Sequence, residues 1–353
     1  MPTRLSTSHY GRLADGRDAN TYTLTNAQGL SAVLCDFGAT LLALHAPDRT
    51  GRLADITLGY DTLDRWASGD SYFGATAGRY GNRIRHARFT LEGKTYTLAQ
   101  NNGEHHLHGG DIGFNKRLWH AETAEKQGES CVRFTYTSPD GEEGYPGKLT
   151  CSVAYTLNDD NELRIDFEAT TTRATPINLV HHTYWNLTGD ADQTVLDHEL
   201  TLPAERYCPI DPGGIPNDGL APVEGTPFDF RQPRAIGARI HDPHEQLVNG
   251  KGYDHSWEVP SDVGTLRLAA QLYEPGTGRT LEVHTDQPAI QFYSGNFLDG
   301  EAGKAGTPMK HRTGLCLETQ VFPDSPNQPE LSNAILRPGE RYRHAMVHKF
   351  GVR

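Results

Sequence analysis

Residues 151–170, CSVAYTLNDDNELRIDFEAT, decide how this chain is read. Val153, Tyr155 and Leu157 fall on one face of an extended segment. Leu163, Ile165, Phe167 and Ala169 fall on one face of the next, and the turn-forming NDDN (158–161) stands between them. Alternation with a period of two around such a turn predicts a half-buried β-hairpin. Residues 87–101, ARFTLEGKTYTLAQN, repeat the scheme about Glu92-Gly93-Lys94, with Phe89 and Leu91 facing Tyr96 and Leu98. Residues 279–297, RTLEVHTDQPAIQFYSGNF, add two runs divided by TDQP. Helical periodicity is scarce, and TLDRWASG (62–69) supports a turn or two at most.

Many short strands separated by Gly, Pro, Asn and Asp predict an all-β architecture, a sandwich or a barrel. No fixed-period repeat points to a propeller. The long Gly/Pro-rich stretch 204–230 reads as an ordered excursion and not as a linker, so one domain is expected over residues 1–353. The formal charge of −12 argues against nucleic acid or an anionic membrane as partner. No apolar run approaches the roughly 18 residues of a membrane helix, and MPTRLSTSHYGRLADG at the N-terminus lacks the apolar core of a secretory signal. The five cysteines are scattered without a CxxC pair, which predicts reduced thiols and a cytoplasmic protein.

Five stretches place polar groups where strands and turns do not require them. GRYGNRI (78–84) carries Asn82 and Arg83, the latter a fixed cation with directed donors suited to a hydroxyl or a carboxylate. It reads equally well as a surface arginine in a turn. NNGEHHLHGG (101–110) carries His105, His106 and His108, and the H-x-H pair His106 and His108 would on one strand project to the same side and suit a metal. No H-E-x-x-H or Cys partner completes such a site, and Gly109-Gly110 suggests a bend that presents His108 to a cleft. PINLVHHTYWNL (176–187) carries His181 and His182, which must face opposite ways on a strand, so at most one serves a given pocket. GKGYDHSW (250–257) carries Asp254, by itself an ordinary turn residue. GLCLETQVFPDSPNQ (314–328) sets Glu318 inside an apolar run, where an ion is costly unless the strand is an edge or the charge has partners.

Taken in order, GRYGNRI, NNGEHHLHGGDIGFNKRLW, NLVHHTYWNLTG, GYDHSW, QFYSGNFLDG and GLCLETQVFPDSPNQP resemble the aldose 1-epimerase (galactose mutarotase) family. The matching stretches run from about residue 78 to residue 329. The resemblance implies a large antiparallel β-sandwich, the supersandwich of the galactose mutarotase-like fold, with a cleft for a small aldose sugar. It implies interconversion of the α and β anomers of free hexoses with no cofactor and no metal. Carried over by motif, Glu318 would be the general base, His182 the general acid, and His108 an assistant at the ring oxygen or a hydroxyl binder. Arg83, Asp254 and Gln291 would bind the sugar, with Asn82 beside them. The chain departs from the family's usual pattern in having Trp185 where Phe is common, and His181 beside the matched histidine.

The reaction needs these residue types. A base removes the proton of the C1 hydroxyl while an acid protonates the ring oxygen, the ring opens, C1–C2 rotates, and closure reverses the transfers. The chain offers no nucleophile elbow and no dinucleotide fingerprint. Other readings are a hexose-6-phosphate 1-epimerase using Arg79, Arg83, Arg85 and Arg88 for phosphate, a glycoside hydrolase or lyase working through Asp254 and Glu318, and a non-catalytic sugar-binding protein on the same fold. Oligomeric state is not set by the sequence.

Overall fold

A computed structural model describes residues 4–260 and 263–353. The hairpin expected at 151–170 spans strands Leu149–Asn158 and Glu162–Thr171, in the register Val153↔Phe167, Tyr155↔Ile165 and Leu157↔Leu163. The apolar face is buried while Arg164, Asp166 and Glu168 remain partly exposed. The turn closes because the Asn158 side-chain oxygen accepts the amides of Asp160 and Glu162, each at 3.0 Å. Here Asn supplies both the side-chain turn at 158 and the positive φ of 61° at 161.

This hairpin lies inside a nine-stranded antiparallel sheet. Its order is His120–Lys126, Glu129–Ser138, Leu149–Asn158, Glu162–Thr171, Tyr342–Val352, Arg279–Thr285, Arg267–Tyr273, Glu199–Thr201 and Arg234–Ala235. A six-stranded antiparallel sheet runs Tyr184–Trp185, Leu315–Gln320, Ala289–Tyr293, Asp254–Glu258, Arg206–Cys208 and Ala221–Pro222. Trp257, Phe292, Leu315 and Leu317 of the second sheet share one core with Val153, Tyr155 and Phe167 of the first. Polar contacts cross the same interface: Thr319 Oγ1 lies 2.7 Å from His344 Nε2, and the Trp185 ring meets His348 edge-on at 5.2 Å. The architecture is therefore the expected large antiparallel β-sandwich. A five-stranded sheet covering Arg4–Arg12 to Leu53–Asp55 adds Leu24, Leu34, Leu41 and Leu44 to that core. The TDQP break at 285–288 is where the chain passes from one sheet to the other, since Arg279–Thr285 and Ala289–Tyr293 belong to different layers.

The α-helices among the described residues are two short turns, Leu63–Ser68 and Glu245–Asn249, beside five three-residue 3₁₀ turns. None is long and apolar enough to cross a membrane. All five cysteines are free.

The strand Leu315–Gln320 is buried along its whole length. Side chains on a strand alternate between faces, so Leu315, Leu317 and Thr319 enter the core and Cys316, Glu318 and Gln320 point the other way. Those three are nonetheless buried as well. Glu318 is thus an interior charge and not an edge residue, and its burial calls for partners.

Candidate active site

Asn82, Arg83, His108, His182, Asp254, Gln291 and Glu318 all line one cavity of about 290 Å³. Strand register brings three of them together. Glu318 stands directly opposite Gln291, and Gln291 opposite Ser256, in one row across three strands. The next row sets Tyr184, Cys316, Tyr293 and Asp254 side by side.

Glu318 is 2% exposed. Its Oε1 lies 3.5 Å from His182 Nε2, and its Oε2 has no hydrogen-bond partner. Burial, aided by the charge of Asp254 and opposed by Arg83, holds its carboxyl well above the usual range. Burial pushes His182 the other way, down to about 4, with its own backbone carbonyl opposing. The His182 ring is stacked between Tyr72 at 5.7 Å and Tyr184 at 5.2 Å, and the His108 ring meets it at 4.9 Å. The two histidines of the HH pair part as strand alternation requires: His181 turns into the core against Tyr155 and Thr183.

His108 follows the strand His106–Leu107 with a positive φ of 49°. The Asn82 amide donates to its Nδ1 at 3.1 Å, so the neutral ring carries its proton on Nε2. Burial and the nearby His182 and Arg83 keep the ring neutral. The bend also corrects the expectation that His106 and His108 project to one side. His106 instead donates from Nδ1 to the Ala99 carbonyl and pairs through Nε2 with the Tyr145 hydroxyl, away from the cleft. Packing accounts for Gly109: a Cβ there would sit 1.8 Å from the Gly78 carbonyl oxygen, and its φ is 94°. Gly109→Ala is therefore expected to cost roughly 3–5 kcal/mol in urea unfolding. Gly93→Ala, with a φ of 77° and nothing within 4 Å, should cost only about 1 kcal/mol.

At the other end of the cleft, Asp254 accepts from Gln291 Nε2 at 2.7 Å and faces Arg83 at 3.5 Å. Gln291 is oriented by Ser256, whose hydroxyl donates to its Oε1 at 2.5 Å. Arg83 also donates to Asn102 at 3.2 Å. The PDSPNQ loop fixes this strand: the Asp324 amide donates to the Arg83 carbonyl, and the Asp324 carboxylate accepts the Arg85 amide. The loop after Glu318 thus grips the strand that carries Arg83. Of the other arginines nearby, Arg79 is buried on the carbonyls of Pro146 and Gly147, Arg85 donates to Pro216, and Arg88 is exposed. Arg83 is the sole lysine or arginine among the described residues lining the cavity.

Two sets of side chains come close enough to suggest a metal ion: His108, His182 and Glu318, and His86, Glu104 and His105. A ligating imidazole donates its second nitrogen's hydrogen to an acceptor. At His108 that nitrogen accepts an amide, and at His105 Nδ1 accepts the His86 amide. Both rings then hold a proton where a metal would need a lone pair, and neither set fits.

Tyr72, Tyr184 and Tyr293 also line the cavity; Tyr184 stands beside His182 in the HHTYW stretch as an aromatic platform for a sugar would, whereas Tyr72 and Tyr293 were not singled out by sequence reading. Tyr184 and Tyr293 follow from alternation on strands already assigned. Tyr72 sits on a loop held by Ser71, which donates to Glu301 at 2.8 Å, and no pattern in SYFG announces it.

The family model for aldose 1-epimerase matches residues 20–349. The chain belongs to this family. The galactose mutarotase of Bos taurus is 43% identical over 320 residues, covering 90% of this chain and 90% of its own. The aldose 1-epimerase of Escherichia coli (strain K12) is 39% identical over 339 residues, covering 95% and 96%. The crystal structure of an aldose epimerase homologue from C. elegans superposes with a TM-score of 0.85 at 33% identity, over 93% of this chain and 97% of that one. The aldose 1-epimerase family thus spans both layers of the sandwich and the whole cleft.

Proposed function

We propose that this protein is an isomerase, an aldose 1-epimerase that interconverts the α and β anomers of free aldohexoses, galactose and glucose first among them. The observation that carries the reading is the buried Glu318 carboxylate beside His182, with one oxygen left without a partner in a sugar-sized cavity. A carboxylate kept out of water with a free lone pair awaits a donor, and the C1 hydroxyl of a sugar supplies one.

Glu318 takes the C1 hydroxyl proton and His182 delivers one to the ring oxygen. Those two oxygens share a carbon, so a base and an acid a few ångströms apart reach both. Opening leaves the shared proton on Glu318, and closure returns it to His182. The opposed shifts of the pair make the carboxylate a stronger base and the imidazolium a stronger acid, and placed groups of this kind contribute roughly 10²–10⁴-fold. His108, holding its proton on Nε2, is a neutral donor to a sugar hydroxyl or the ring oxygen. Arg83, Asp254 and Gln291 hold the far hydroxyls while C1 swings, with Asn82 setting His108. No step calls for a cofactor. The lone Arg83 gives no support to a phosphate site, which favours the unphosphorylated sugar. A core drawing on residues from Tyr22 to Phe350 supports one domain, and five free thiols support a cytoplasmic setting.

Polarimetry on freshly dissolved α-D-galactose and α-D-glucose tests the activity. Accelerated equilibration of either sugar supports it, whereas no acceleration on both would overturn it. The active pair holds one proton between its members, so kcat/KM should decline on the alkaline side as that proton is lost, with an apparent pKa above the ordinary glutamate value. A profile that does not decline on the alkaline side would remove Glu318 and His182 from their roles.

A further inference from the structure

We propose that Cys316 is a positioning residue for His182, its thiol holding Nδ1 so that Nε2 is the nitrogen that exchanges a proton at the sugar. Cys316 and Glu318 stand two residues apart on one strand and so share a face, about 7 Å apart. The His182 ring bridges them: Cys316 Sγ lies 3.6 Å from Nδ1, and Glu318 Oε1 lies 3.5 Å from Nε2. Cys316 is fully buried, and burial with the charges of Glu318 and Asp254 holds its thiol well above the usual range, so sulfur keeps its hydrogen. An S–H then donates to Nδ1 of the neutral ring and directs that ring's proton to Nε2. When the ring is charged, the sulfur lone pair receives the Nδ1 hydrogen weakly, which leaves the imidazolium acidic. A carboxylate in the same place would steady the imidazolium and blunt it as an acid. The remaining groups facing the ring are its own backbone carbonyl, an acceptor that competes with the thiol for the Nδ1 side, His108, Tyr72 and Tyr184, which touch its faces and edge, and His181, its neighbour in the chain. None of them offers Nδ1 a hydrogen in these contacts.

This inference rests on the acid role proposed for His182, and its test separates the two. Imidazole ¹⁵N spectra of the selectively labelled protein, with the His182 signals identified by their loss in His182→Gln, read the tautomer directly. Wild type should show His182 with its hydrogen on Nε2, Cys316→Ala should show a mixture, and Cys316→Ser, whose hydroxyl can donate in place of the thiol, should restore the Nε2 form. In parallel, Cys316→Ala should lower kcat on α-D-galactose roughly 10–100-fold with KM little changed, Cys316→Ser should recover part of it, and Cys151→Ala, a buried cysteine of the other sheet, should match wild type. An unchanged tautomer in Cys316→Ala overturns the proposal even if activity falls. A shifted tautomer with unaltered kcat upholds the contact and overturns the acid role of His182.

Discussion

Glu318→Gln is expected to lower kcat for α-D-galactose mutarotation by about 10³-fold or more, with KM nearly unchanged and the unfolding midpoint equal to or above that of the wild type. Glutamine keeps the shape of the side chain and removes its capacity to accept the C1 proton, which is the part worth orders of magnitude. The stability arm has the opposite sign from that of most core substitutions. The carboxylate is 2% exposed with an unpartnered oxygen, so it is desolvated in the folded state without full compensation. An amide in its place carries no charge to desolvate. Near-wild-type polarimetric rates in Glu318→Gln would sink the assignment, and a large drop in the unfolding midpoint would show that the carboxylate serves the fold.

The second large effect is acid unfolding. His106, His108, His181, His182, His198, His255, His344 and His348 are buried, and burial lowers each of them. His106, His182, His198 and His344 fall to about 4, and His255 and His348 to about 3. The unfolded chain titrates these rings near 6.5, so between that value and the folded ones it binds more protons, and stability falls as pH falls. One unit below 6.5 each ring has cost about 1.4 kcal/mol, and eight together about 11 kcal/mol, comparable with the whole stability of a typical domain. Glu318, shifted upward, acts in the opposite sense but for one proton only. Tryptophan fluorescence should therefore report cooperative unfolding near about pH 5. His348 has neither ring nitrogen bonded and packs against Trp185 and Phe350, so His348→Leu should move that midpoint to lower pH. A native signal that persists to pH 4 in the wild type would contradict the account.

The sandwich was legible because alternation is a local property: Val153, Tyr155 and Leu157 declare their face without reference to the rest of the chain. Glu318 was legible as an anomaly, a charge in an apolar run, but its partners were not. That Gln291 stands opposite Glu318 is a matter of strand register, and register is set by pairing between segments far apart in sequence. The site residues were assigned through ordered motifs, whose physical reasons appear only in three dimensions. Gly109 is needed because the Gly78 carbonyl lies against it, and PDSPNQ because Asp324 grips the strand of Arg83. His106 shows where alternation fails: the strand ends at Leu107, and the turn at His108 sends the two rings to different places. Arg79 shows the limit of reading charge, since a buried guanidinium on carbonyl oxygens and a surface cation look alike in a string of letters. Tyr72 gave no signal, because its contact with two histidines is made by a loop anchored elsewhere.

The strand Leu315–Gln320 has a consequence for how this chain can vary. Its odd positions belong to the core and its even positions to the face that carries Glu318 into the cleft, so its phase carries two specifications at once. Inserting or deleting a single residue would turn Leu317 toward the sugar and Glu318 into the hydrocarbon interior. Substitution can alter the chemistry and spare the fold, as Glu318→Gln should, but a frame change of one residue forfeits both together. In this segment the fold and the chemistry together tolerate a change of letter better than a change of length.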